Sequence, residues 1–146
     1  MNPLIDSFVS SKKIAVVGMS RSGKKFGNIV GKELKNKGYE IFPVHPEVRE
    51  IDGLICYPDL KSLKDKVDGV WISTSPQNIP PVLEDAAEIG IKNIWLQQGA
   101  WSKEVQQTID RLNLSVVSKK CIMMYAQPVQ SVHKFHRTIK GIFGRL

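Results

Sequence analysis

Short apolar runs alternate along this chain with longer stretches in which apolar residues recur every three or four positions. The runs cover residues 14–17, 39–44, 68–73, 93–97 and 114–117, and they are rich in Val, Ile and aromatic side chains. Continuous runs of this kind suit strands buried on both faces of a parallel sheet. Between them, Ile29, Val30 and Leu34 mark a helix that stops at Gly38. A second helix carries Pro80 and Pro81 in its first turn and runs through Val82, Ala86 and Ile89 to Gly90. Ser102 caps a third, through Val105, Ile109 and Leu112. Residues 47–58 read as an irregular excursion, after which Asp59 or Ser62 starts a short helix. Alternating strands and helices predict one doubly wound α/β domain with a five-stranded parallel sheet. Beyond it, Val129, Val132, Phe135 or His136, Ile139, Ile142 and Phe143 form an apolar stripe. That stripe predicts an extra C-terminal helix with His133, Lys134, Arg137 and Lys140 on its basic face. The 146 residues thus divide into a core over about 8–125 and an amphipathic basic tail over 126–146.

Charge changes this picture more than composition does. An apolar content of 42% is that of a globular protein able to bury a core, and no apolar run approaches the roughly 20 residues of a membrane span. Residues 1–11 lack a basic stretch before an apolar one, so no signal peptide is expected. Cys56 and Cys121 form no CxxC pair, and free thiols in a reducing cytoplasm are the expectation. The net charge of +7 is unevenly placed. Residues 12–25 hold five Lys/Arg and no acid, and residues 119–146 hold six and no acid. The first block suits a polyanionic ligand; the second could serve a ligand, a nucleic acid or a membrane surface. The apolar stripe of the tail is expected to fold back on the domain or to dock onto a second copy in a homodimer.

In a sheet of this class, which is Rossmann-like, ligands bind outside the carboxyl ends of the strands. That rule selects the loops at 18–27, 44–47, 73–77, 97–101 and 118–125. The first runs Gly18, Met19, Ser20, Arg21, Ser22, Gly23, Lys24, Lys25, Phe26, Gly27 between a strand and a helix. Strand, glycine loop and helix together offer backbone N–H groups to an anion, and the helix dipole adds to them. Arg21, Lys24 and Lys25 add cations, which makes the loop a phosphate cradle. A side chain at Gly18 would intrude where a ligand must approach the backbone. A dinucleotide fingerprint is incomplete here, because no second glycine follows Gly18 closely. Val44, His45 and Pro46 stand where that site needs an acid for a ribose. A P-loop fails by one residue, since Lys25 occupies the place of the Mg²⁺-binding hydroxyl. Cys121, His133 and His136 lack zinc spacing, and no Ser-His-Asp set or paired carboxylates are evident. Cys56 reads as a packed thiol, and Trp71 and Trp95 as core.

The motifs in combination resemble the CoA-binding domain family, stand-alone relatives of the N-terminal domain of the succinyl-CoA synthetase α subunit. The resemblance rests on the loop from Gly18 to Asn28, on Val44-His45-Pro46, and on Gly53-Leu-Ile-Cys-Tyr-Pro-Asp-Leu60. It continues in Ser73-Thr74-Ser75-Pro76, in Trp95-Leu-Gln-Gln-Gly99 and in Cys121. It implies coenzyme A or an acyl-CoA as ligand, a small molecule carrying a diphosphate and a 3′-phosphate. The diphosphate would sit on Gly18, Ser20, Arg21, Ser22, Lys24, Lys25, Phe26 and Gly27. Val44, His45 and Pro46 would flank the adenine, with Ser73, Thr74 and Pro76 closing its other side. The pantetheine arm would run toward Gln98 and Gly99. In the succinyl-CoA synthetases the phosphohistidine belongs to a second domain, so the resemblance implies binding without catalysis. Two other readings stay open: an NADP-dependent oxidoreductase using Arg21 and the lysines for a 2′-phosphate, and a nucleic-acid or membrane-surface adaptor acting through the tail.

Overall fold

The computed structural model describes residues 3–125, so the C-terminal helix expected over 126–146 lies outside the described residues. Chain order is α1 (Pro3–Val9), β1 (Lys13–Val17), α2 (Phe26–Asn36), β2 (Glu40–Val44), β3 (Glu50–Ile51) and β4 (Leu54–Ile55). There follow β5 (Gly69–Ile72), α3 (Ile79–Ile89), β6 (Asn93–Gln97), α4 (Lys103–Arg111) and β7 (Val116–Lys120). Short 3₁₀ turns occupy Lys61–Leu63, Pro76–Asn78 and Ile122–Met124.

Five strands form one parallel sheet in the order β2-β1-β5-β6-β7. Successive side chains of a strand point to opposite faces, and both faces here are covered. Ile14, Val16, Trp71 and Trp95 pack with Ile5 and Phe8 of α1 and Val30 and Leu34 of α2. Ala15, Val17, Val70, Ile72, Ile94 and Leu96 pack with Leu83 and Ala86 of α3 and Val105 and Ile109 of α4. That double burial is why the strands are apolar at every position rather than at alternate ones. The winding reverses at β1, whose neighbours are β2 and β5. A crevice therefore opens at the carboxyl ends of these strands, at the topological switch point.

The expected helix ends are present. Gly90 closes α3 at φ 79°, with Ile91 N–H donating to Ala86 C=O at 3.0 Å. The Ser102 hydroxyl accepts from Val105 N–H at 3.1 Å at the start of α4. Gly38 follows α2 at φ 98°.

Three elements differ from the sequence-based expectation. Helix α1 was not expected, because seven residues are too few to display a period; it nonetheless places Phe8 edge-on to Trp95, ring centroids 5.3 Å apart. The excursion at 47–58 contains the β3–β4 hairpin, turned by Asp52 (φ 51°) and Gly53 (φ 79°). Two positive φ values at an Asp-Gly pair match the turn that right-twisted strands prefer. The last strand was expected at 114–117 but runs Val116–Lys120. Leu114 belongs to the end of α4, its N–H donating to Ile109 C=O at 3.0 Å after Asn113 turns at φ 55°. The polar outer half of β7 gives no apolar signal, since this edge strand is half exposed and its register shifts against β6.

Candidate functional site

The loop between β1 and α2 begins with a backbone-to-backbone closure. Ser73 N–H donates to Val17 C=O at 2.8 Å, which carries the pairing of β1 and β5 past their ends. Gly18 follows at φ 141°, and a Cβ there would run into the Ser73 carbonyl. Gly27 in turn faces Gly18: its Cβ would meet the Gly18 carbonyl and come within 2.9 Å of Met19 N. Gly27 is buried, so its visible partner is the backbone of the loop's own first residue.

Asn28 shapes what lies between. It is 3% exposed, and its Oδ1 accepts from Ser20 N–H at 2.8 Å while its Nδ2 donates to Ser20 C=O at 3.0 Å. The same Nδ2 donates to Asp52 Oδ2 at 3.0 Å, so the β3–β4 hairpin is tied to the loop. Ser20 C=O also accepts from Gly23 N–H at 3.1 Å, closing a turn over Arg21 and Ser22. The hydroxyls of Ser20 and Ser22 lie 2.9 Å apart. Helix α2 starts at Phe26 with Lys25 as its N-cap, and no side chain caps it. No side chain of the cap position therefore takes up the first N–H groups of α2. Arg21, Ser22, Lys24 and Lys25 are exposed, and none of the three cations has an ion pair among the described residues.

Beside the loop, across the ends of β1, β2 and β5, lies a cavity of about 390 Å³. Val17, Val44, Pro46, Leu60, Thr74 and Val82 give it an apolar lining, and Asp59 and Asp85 put carboxyls at its wall. Both Ser62 donors hold the Asp59 carboxyl below the ordinary range, through its hydroxyl at 2.6 Å and its N–H at 2.9 Å. Burial pushes the Asp85 carboxyl up, and Lys61 at 3.9 Å pulls it part of the way back.

The structure thus brings Val44, Pro46 and Thr74 to one cavity, and Ser20, Arg21, Ser22, Lys24 and Lys25 to one loop. His45 is placed otherwise: its Nδ1 accepts from Glu47 N–H at 3.0 Å and its own N–H donates to Tyr57 C=O at 2.9 Å. Ser73 serves the β1–β5 closure, and Pro76 opens the 3₁₀ turn before α3. Gln98 and Gly99 are exposed beyond β6, with Gly99 at φ 93°. Phe26 packs on Trp71, centroids 6.3 Å apart, while remaining 42% exposed. Cys56 is buried, and burial raises its thiol above the ordinary range, so it stays a packed thiol. Among the described residues no group of three His, Cys, Asp or Glu is placed to hold a metal, and no helix is long and apolar enough to cross a membrane. A second groove, of about 460 Å³, is lined by Met19 and Gly23 of the loop, Asn28, Lys32 and Lys35 of α2, and Asp52 and Leu54 of the hairpin.

Sequence reasoning did not see the roles of Asn28, Asp52 and Gln97. Each acts through a partner distant in sequence, although Asn28 and Gln97 fall inside the quoted motifs and Asp52-Gly53 is a hairpin signal.

Known proteins resemble most of this chain. It is 32% identical to the uncharacterized protein YneT of Bacillus subtilis over 112 residues, 77% of this chain and 83% of that one. It is 33% identical over 119 residues to an ADP-forming acetate–CoA ligase II of Archaeoglobus fulgidus, covering 78% of this chain but 18% of the ligase. A conserved hypothetical protein from Pyrococcus furiosus has the same fold at a TM-score of 0.71 and 37% identity, over 76% of this chain and 96% of that one. Residues 12–127 match the family described as CoA binding domain, and the chain belongs to that family.

Proposed function

We propose that this chain binds coenzyme A or an acyl-CoA at the carboxyl ends of β1, β2 and β5 and carries out no chemistry of its own. One observation carries the reading: at the sheet's switch point β1 ends at Val17, which lines a largely apolar cavity, and leads into a loop and uncapped helix start whose three cations have no ion pair among the described residues. An anionic group linked to a flat base fits that pair of surfaces. The diphosphate takes backbone N–H groups of the loop, the fork of Arg21 and the charge of Lys24 or Lys25. The adenine enters the slot of Val17, Val44, Pro46 and Thr74, where Asp59 or Asp85 can accept from its amine. The acetate–CoA ligase relative supports the choice of ligand, while its ligation chemistry belongs to a protein of which this chain spans 18%.

Titration calorimetry tests the reading. CoA is expected to bind more tightly than dephospho-CoA, NAD or ATP, because a 3′-phosphate adds charge that the loop can pair. Equal affinity for CoA and dephospho-CoA removes the 3′-phosphate contact, and tighter NADP than CoA favours an oxidoreductase. Arg21→Ala should cost about 1.5–3 kcal/mol of CoA binding. Its unfolding midpoint should match the wild type, since an exposed cation without an ion pair adds little to stability. Unchanged CoA affinity would assign the diphosphate to backbone and lysines alone.

A further inference from the structure

We infer that the groove between α2 and the β3–β4 hairpin is a second ligand site, which takes a small organic anion with an apolar body, such as a medium-chain carboxylate. The inference stands apart from the coenzyme A reading, because the groove shares no lining residue with the cavity at the switch point.

The floor of the groove is apolar. Gly31 has no side chain where α2 faces Met19, and a Cβ there would come within 3.3 Å of the Met19 Sδ and Cε. Met19 belongs to the buried core, and Leu54 of the hairpin packs against the same core. Ile29 lines the groove yet is 53% exposed, so an aliphatic side chain faces water that an apolar ligand would displace. A volume of about 460 Å³ is that of a small-molecule site.

The charges of the groove are separated along α2. Lys32 and Lys35 lie at i and i+3, on neighbouring turns, and line the groove with Asn36. Both lysines are exposed, and neither has an ion pair among the described residues. The acid of the groove is Asp52, and its Oδ2 is engaged by Asn28 Nδ2 at 3.0 Å. Asn28 precedes Lys35 by seven residues, about 10 Å along the helix. The two cations thus outnumber the acid and stand toward the other end. Free cations beside an apolar floor complement an anion on an apolar body. The chain's own residues 126–146 complement it poorly, since they hold four Lys/Arg and no acid. At its acidic end the groove reaches Gly23 and Asn28, and Asn28 holds both backbone groups of Ser20. An occupant therefore lies against the residues that shape the basic loop.

Amide NMR spectra of the full chain, titrated with octanoate, test the site. Octanoate should shift residues 29–36 and 52–54 saturably. Octyltrimethylammonium, with the same chain and a positive head, should leave them in place. Lys35→Glu should weaken octanoate about tenfold, whereas Lys92→Glu, the same change at an exposed lysine outside both cavities, should not. The octanoate shifts should persist in saturating CoA. An octanoate affinity that changes and then levels off as CoA rises assigns coupling through Asn28, and a constant one assigns two independent sites; both support the inference. Strict competition with CoA overturns it, as do equal shifts from the cation and the anion, a response centred on Val17, Val44 and Thr74, or no response to octanoate. Equal weakening by Lys35→Glu and Lys92→Glu overturns it too, because the lysine would then act through net charge alone. Nuclear Overhauser contacts from Ile29 or Leu54 to residues 126–146 in the free chain make the tail the occupant and overturn it as well. CoA that fails to bind removes the coenzyme A reading, while the octanoate titration still decides this one.

Discussion

Gly18→Ala should cost roughly 2–4 kcal/mol of folding stability, one of the largest losses available from adding a single methyl group to this chain. Two effects add. The backbone sits at φ 141°, a region that side chains rarely enter, and the new methyl would press into the Ser73 carbonyl. Neither obstacle is the end of a flexible side chain that could swing aside. Gly27→Ala should cost a similar amount for the second reason alone, because its methyl would push against the Gly18 carbonyl and Met19 N. These two glycines let α2, β1 and β5 meet backbone to backbone at the switch point. Gly53→Ala supplies the control: it shares a positive φ, 79°, but has nothing within 4 Å, so only conformational strain of about 1 kcal/mol is expected. Urea unfolding of the three variants checks the order. Gly18→Ala within about 0.5 kcal/mol of the wild type would show that the closure tolerates a side chain. The sequence suggested that Gly18 keeps space for a ligand; in the structure the atom that a side chain there would meet is the Ser73 carbonyl.

How far the sequence reached follows from how each element is stabilised. β1 and β5 are covered on both faces, so their burial is written as continuous apolar runs. Helix α3 stops at Gly90 and helix α4 starts at Ser102, residues whose local chemistry marks those ends. β7 is an edge strand whose outer residues, Ser118, Lys119 and Lys120, carry no apolar signature, and so its limits were misplaced. The same division holds at the site. Cations in a loop and residues at strand ends are visible in composition and spacing, which made the basic loop and the grouping of Val44, Pro46 and Thr74 at one cavity legible. Hydrogen bonds between residues far apart in the chain are not. The pairs Asn28–Asp52 and Trp71–Gln97 are separated by 24 and 26 positions, and only the fold brings them together.

Asn28→Asp should open the basic loop at about pH 7. Asn28 holds Ser20 by both backbone groups and holds the hairpin through Asp52. A carboxylate in its place can still accept from Ser20 N–H, but its second oxygen meets the Ser20 carbonyl and the Asp52 carboxylate. Two acceptors and a like charge then face one another at a position only 3% exposed. A stability loss of roughly 2–4 kcal/mol is expected, with CoA affinity down by about tenfold, since the loop no longer presents its N–H groups as a set. The pH dependence has a definite sign. Burial beside Asp52 raises the folded-state pKa of the introduced carboxyl above its unfolded value. The folded variant then binds the proton more tightly, so its deficit is full above the folded pKa and fades as pH falls through it. Asparagine does not titrate, so the gap between variant and wild type should narrow between about pH 7 and about pH 5. Adding Asp52→Asn should recover much of the loss at neutral pH by replacing the facing carboxylate with an amide. Urea unfolding at both pH values, with and without the second change, separates the outcomes. A gap that is constant with pH and indifferent to Asp52→Asn would mean that Asn28 acts by packing, and that the hairpin does not hold the loop.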